Sequence, residues 1–205
     1  MKIINCLVVA ILFLGSCKND PNIKLPILGH QDIVGTDTIL HKIPPFVFID
    51  QNENKVDNNT LKNNIYVSDF FFMSCPSICP KVKKQMLRIY DKYEDNDFIK
   101  IVSHTIDPKR DTPERLKMYA ENLSVNHDKW IFLSGNKDSL LDMAEEYFVA
   151  AYEDADAPGG FDHSGKILLV DTNGHIRAFC DGTDPGDVDD FLVDIDFLLK
   201  EYEIQ

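Results

Sequence analysis

Positive charge is scarce in this chain: 21 lysines and arginines stand against 34 aspartates and glutamates, for a formal net charge of −13. A surface that acidic has little with which to displace counterions from phosphates, which argues against nucleic acid as a partner and against anionic lipid as a direct membrane contact. Long apolar runs are lacking too. The longest, residues 3–16, falls short of the ~20 residues a bilayer-spanning helix needs. No internal repeat or low-complexity tract is present. Cysteine is confined to Cys6, Cys17, Cys75, Cys79 and Cys180, too few and too unevenly spaced for a disulfide framework.

The short apolar run follows Lys2 and closes in Leu14-Gly15-Ser16-Cys17, which reads as a signal peptide over residues 1–16. The ending resembles a bacterial lipobox, so Cys17 is expected to carry lipid and to tether the protein without spanning the membrane. Residues 17–43, with Pro21 and Pro26, are then expected to form the lipid-anchored linker, and residues 44–205 the folded domain. That domain has about 160 residues, enough for one buried core. An exported domain tolerates disulfides. With Cys6 lost and Cys17 lipidated, three thiols remain, of which Cys75 and Cys79 stand close together.

Strand and helix patterns alternate along the domain. Pro45–Asp50, Ile65–Phe72, Phe98–Thr105 and Trp130–Leu133 read as strands. Between them, the apolar spacing of Val82, Met86, Ile89, Tyr90 and Tyr93 predicts a helix from Pro80. Asp111-Thr112-Pro113-Glu114, with a capping side chain, a first-turn proline and an early carboxylate, opens another to about Asn122. Asn136 is placed to cap a third, ending near Phe148. Lys166–Asp171 and His175–Cys180 flank Thr172-Asn173-Gly174, a hairpin signal, and Asp187–Tyr202 predicts the closing helix. This is an α/β order, and specifically that of a thioredoxin-like fold: a mixed central sheet flanked by helices, with a C-terminal β-hairpin and helix.

Cys75 and Cys79, in Ser74-Cys75-Pro76-Ser77-Ile78-Cys79-Pro80, fall where a strand ends and a helix begins, the edge at which open sheets bind ligands. Pro80 disfavours helical angles at Cys79, which places Cys79 at the helix mouth, where unpaired N–H groups favour a thiolate. A loop that short restrains little of the unfolded chain, so the pair reads as redox-active or metal-binding rather than as a staple. Thioredoxin-type oxidoreductases place a cis proline opposite their cysteines, just before the final hairpin. The corresponding stretch here is Gly160-Phe161-Asp162-His163-Ser164-Gly165. Two thiolates and the His163 imidazole suit copper as Cu(I) or Cu(II), and zinc on the same chemistry. His30, His41, His104, His127 and His175 read as surface or turn residues, with His104 the one nearest the Asp-Pro segment. Cys180 reads as a buried apolar filler or as an extra reactive thiol.

The chain resembles the Sco (SenC) family of copper-handling thioredoxin-like proteins. The resemblance rests on the Cys75–Cys79 segment, on Ser103-His104-Thr105-Ile106-Asp107-Pro108-Lys109-Arg110-Asp111-Thr112-Pro113, on Trp130-Ile131-Phe132-Leu133-Ser134-Gly135 and on Asp162-His163-Ser164. It implies that Cys75 and Cys79 are the copper-binding and redox-active thiols, able to cycle through a disulfide, and that His163 is the third protein ligand to one copper ion. Asp107 matches an acidic residue near the site, where it serves either the metal or the turn. The implied function is a membrane-anchored copper chaperone in the cell envelope, facing the periplasm, that serves the binuclear copper site of cytochrome c oxidase by metal delivery, by thiol reduction, or both. Its implied partners are the copper-receiving oxidase subunit and a further copper chaperone or thiol reductase. A metal-free periplasmic thiol-disulfide reductase, a peroxiredoxin-like peroxidase and a copper or redox sensor are the competing readings.

Overall fold

The computed structural model describes residues 24–203. The expected signal segment and the expected lipidation site at Cys17 lie outside the described residues. In chain order the elements are β1 (Gln31–Val34), β2 (Asp37–Leu40), β3 (Val47–Asp50), β4 (Lys55–Asp57), α1 (Asn58–Leu61), β5 (Ile65–Phe71) and α2 (Cys79–Tyr93). They continue as β6 (Ile99–Thr105), α3 (Pro113–Leu123), β7 (Trp130–Ser134), α4 (Lys137–Glu146), β8 (Ala151–Glu153), β9 (Phe161–His163), β10 (Lys166–Val170), β11 (Ile176–Asp181) and α5 (Pro185–Glu203).

Seven strands form one mixed sheet in the order β11-β10-β5-β6-β7-β3-β4. β5, β6 and β7 run parallel, and the flanking pairings are antiparallel. All seven residues of β5 are buried, as befits a parallel strand covered on both faces. Its pleat sends Ile65, Val67 and Phe71 into a core shared with α2, α3 and α5, and Tyr66 and Phe70 into a second core beneath α4. The expected thioredoxin-like α/β architecture is thus the observed one. Among the described residues, no helix is long and apolar enough to cross a membrane.

Local chemistry sets the helix ends. Thr112 Oγ1 accepts from Arg115 N with Pro113 in the first turn, and Asn136 Oδ1 accepts from Ser139 N, as expected for helix caps. The start of α2 departs by one residue from the sequence expectation. Ile78 already has helical angles (φ −86°, ψ −37°), and its carbonyl accepts from Lys81 N and Val82 N, which carries the helix back through Cys79 despite the steric bias before Pro80.

Four short elements, β1, β2, β8 and β9, form two-stranded ribbons outside the main sheet. The first lies in the segment expected to be linker; its own strands are exposed, but the chain on either side of it packs on the domain. Leu28 bridges to Ile176, Ile43 N donates to Gly174 O, and Ile43 is 1% exposed. Arg177 secures this arrangement. Its guanidinium pairs with Asp171 (3.2 Å) and Glu201 (2.9 Å) and donates to the carbonyls of Leu25 and Pro26, while Glu201 also accepts from Leu25 N.

All three charged side chains of this network are at least nine-tenths buried, so removing the cation leaves two carboxylates without their partner. Arg177→Ala is expected to lower unfolding stability by about 3–5 kcal/mol, read as the shift in a urea unfolding curve.

Candidate metal centre

β5 and β6 end side by side, and the loops leaving them are tied together. Ile106 N donates to Phe71 O at 2.9 Å, and Asp111 Oδ2 accepts both Met73 N (3.0 Å) and Thr105 Oγ1 (2.7 Å). Cys75 N then turns back to Phe72 O, placing Cys75 in the loop and Cys79 in the first turn of α2. The third residue arrives from far along the chain. His163 ends β9, which pairs with β8 at Ala151, and Ser164 N donates to Ala150 O.

The His163 ring packs against Phe72 with centroids 5.6 Å apart and is 6% exposed. Its Nδ1 lies 3.1 Å from Ser164 O, and its Nε2 lies 3.1 Å from Cys79 Sγ. A carbonyl oxygen only accepts, so Nδ1 carries the proton and the Nε2 lone pair faces Cys79 Sγ. One ligand atom from each of Cys75, Cys79 and His163 lies within 4.8 Å of the others. An ion bound at about 2.3 Å to sulfur and 2.0 Å to nitrogen separates its ligands by roughly 3.5–4 Å, so the three residues fit a shared soft metal with small movements.

The two thiols differ in character. Burial pushes Cys75 up, but the N–H groups of Cys79 and Ser77, with the Cys79 thiol, outweigh it and bring its pKa to about 6. Cys79 moves the other way. Burial, reinforced by the Cys75 sulfur and the Asp69 carboxyl, drives it well above the usual thiol range. The sequence expectation that Cys79 at the helix mouth is the stabilised thiolate is therefore corrected: Cys75 receives the amide donors, and Cys79 sits in drier surroundings.

Sequence reasoning missed several residues around the pair. Asp69 is 4% exposed in the middle of β5, and burial raises its pKa to about 7 although the Ser103 hydroxyl donates to it; Trp130 Nε1 in turn donates to Ser103 at 2.8 Å. With Ser103, Tyr119 and Trp130 it lines the small recess that reaches Cys79 and His163. A lone carboxylate inside the apolar run Ile65–Phe72 was the available signal. Asp107 stands outside the ligand cluster and accepts from Arg110, while its carbonyl accepts from Arg110 N and Asp111 N, so it serves the turn.

The other histidines lie apart from the cluster. His104 is fully buried rather than at the surface, stacked on Phe70 at 4.7 Å, and burial lowers its pKa to about 3. His30 and His41 pack on Phe148. Cys180, 1% exposed and opposite Ile167, fills the core, and burial pushes its thiol up.

The SCO1/SenC family model matches residues 36–196. The chain belongs to the SCO1/SenC family. It is 28% identical over 197 residues to a SCO1 protein homolog of Bacillus subtilis (strain 168), covering 95% of this chain and 96% of that one. Among solved Sco structures, it resembles BsSco, described as a member of the Sco family of cytochrome c oxidase assembly proteins with a disulfide switch. That match has a TM-score of 0.67 and 27% identity, covering 77% of this chain and 93% of BsSco. It also resembles copper-bound ScoI of Bradyrhizobium japonicum, with a TM-score of 0.59 and 25% identity over 75% of this chain and 96% of that one.

In the reduced, metal-free protein, alkylation of Cys75 should follow its thiolate fraction. Because its pKa is lowered, the rate is high above about 6 and falls roughly tenfold from pH 7 to pH 5, while Cys79 reacts slowly throughout. Mass mapping of iodoacetamide adducts against pH checks both expectations.

Proposed function

We propose that this protein binds one copper ion through Cys75, Cys79 and His163 and serves the binuclear copper site of a cytochrome c oxidase, delivering the metal, reducing the target cysteines, or both. The observation that carries this reading is the convergence of two sulfurs and an imidazole nitrogen within 4.8 Å. Thiolate and imidazole together suit copper, which lies above zinc in the order of divalent affinities. The copper-bound relative and the assembly role named for BsSco support the same assignment.

Each residue has a defined part. Cys75 offers a thiolate at neutral pH, and His163 presents Nε2 because Ser164 O holds the Nδ1 proton. Cys79 enters protonated, so metal uptake releases its proton and binding strengthens as pH rises. Proposed with this role are the lipid anchor at Cys17, the signal peptide over residues 1–16 and the periplasm-facing domain over residues 44–205, with the linker segment over residues 17–43 held on that domain at Leu25, Pro26, Leu28 and Ile43. The oxidase subunit that receives copper would be the partner, with a further copper chaperone or thiol reductase upstream.

The lowered pKa of Cys75 favours a second reading, thiol-disulfide exchange. The Cys75 thiolate attacks a target disulfide and forms a mixed disulfide, releasing one target thiolate. Cys79 then attacks the Cys75 sulfur after losing its proton, which releases the second target thiolate. The target gains two electrons, and Cys75 and Cys79 become a disulfide.

Titration of the reduced domain should show one copper per chain. Cys75→Ser and Cys79→Ser should each abolish tight binding, and His163→Ala should weaken it by about 100-fold or more, beyond what loss of an outer-sphere partner costs. Unchanged affinity in His163→Ala would remove the imidazole from the site, and disulfide turnover without copper uptake would favour the reductase reading.

A further inference from the structure

The proposed ligands come from two chain segments 84 residues apart, and a third segment grips both. That segment is the turn from Asp107 to Asp111 after β6. On one side, Asp111 Oδ2 accepts Met73 N, fixing the loop that leads into Cys75. On the other, Arg110 Nη2 donates to Gly159 O at 2.5 Å, fixing the loop that leads into β9 and His163.

Arg110 is held for this task. Its Nε donates to the Asp107 carboxylate, which is buried, and Asp107 N donates to Thr105 Oγ1 at 3.1 Å. The Arg110 carbonyl accepts from Arg115 Nη1 at 2.7 Å. A planar guanidinium can bond two acceptors in different directions at once, which a lysine ammonium on a flexible stem does less well.

Gly159 occupies a position that passes this grip on to the site. Its φ is +92°, and a Cβ there would lie 2.6 Å from the Phe72 ring and 3.3 Å from Ser74 O, so the loop rides directly on the segment before Cys75. Asp154 N donates to Gly160 O and closes the loop, Phe161 packs on Phe72 at 5.5 Å, and His163 follows two residues later. The loop that carries His163 therefore rests, at Gly159 and Phe161, on the same segment that leads into Cys75.

Resting on the copper-binding reading above, we propose that the Asp107–Asp111 turn is a positioning clamp for the metal centre, with Arg110 the residue that holds His163 within bonding reach of Cys75 and Cys79. Arg110 touches none of the three ligands and acts through Gly159. Its side chain is 45% exposed, so its removal leaves the cores intact.

The test is a double-mutant cycle on copper affinity, measured by chelator competition on the reduced mature protein, with the Cu(II) EPR spectrum as a second readout. Arg110→Ala should lower affinity about 10–100-fold and shift the EPR signal toward that of His163→Ala. On the His163→Ala background the same change should alter affinity by less than about twofold, because the residue it positions is gone. Arg110→Lys should recover part of the loss. Arg110→Ala/Asp107→Asn, which leaves no unpaired carboxylate, should behave like Arg110→Ala. Equal losses in both backgrounds, or wild-type affinity and spectrum in Arg110→Ala, would overturn the clamp while leaving the copper site standing. Failure of the wild type to take up copper would overturn both.

Discussion

The contact between Cys79 Sγ and His163 Nε2 is the constraint on which the rest of the site depends. It joins the first turn of α2 to the end of β9, elements that no local sequence preference brings together. The ring is oriented from behind by Ser164 O and from the side by Phe72, so its free nitrogen can face only the thiol. A lone imidazole in a surface loop would lose rotamer entropy on binding a metal. Here much of that entropy is already lost on folding, which favours a tighter site.

Environment rather than sequence spacing divides the labour of the two cysteines. Cys75, in the loop, collects amide donors that favour its anion. Cys79, next to Cys75 and above the buried Asp69 carboxyl, keeps its proton. One thiolate and one thiol side by side suit both proposed chemistries: the anion opens the reaction by binding a soft ion or attacking a disulfide, and the second sulfur completes it once its proton departs.

The domain also controls how the chain approaches it from its N-terminal side. The Arg177–Asp171–Glu201 network takes hold of Leu25 and Pro26, and Leu28 adds to the sheet edge at Ile176. The net charge of −13 disfavours direct contact of the domain with anionic lipid.

Periodicity and punctuation carried much of the architecture. The helix of Val82, Met86 and Ile89, the caps at Thr112 and Asn136 and the Asn173-Gly174 hairpin were all legible, because each depends on residues within a few positions of one another. The β1–β2 and β8–β9 ribbons were not legible, since strands of three or four residues hold their shape only against a surface built elsewhere. By itself, the sequence determined that two thiols stand at a strand-to-helix junction and that a histidine precedes the last hairpin. Tertiary structure alone decided that the imidazole meets the sulfurs, that Cys75 rather than Cys79 is the ready anion, and that Arg110 and Asp111 brace the two arms. Those outcomes depend on burial and on distances across the fold, which linear spacing does not encode.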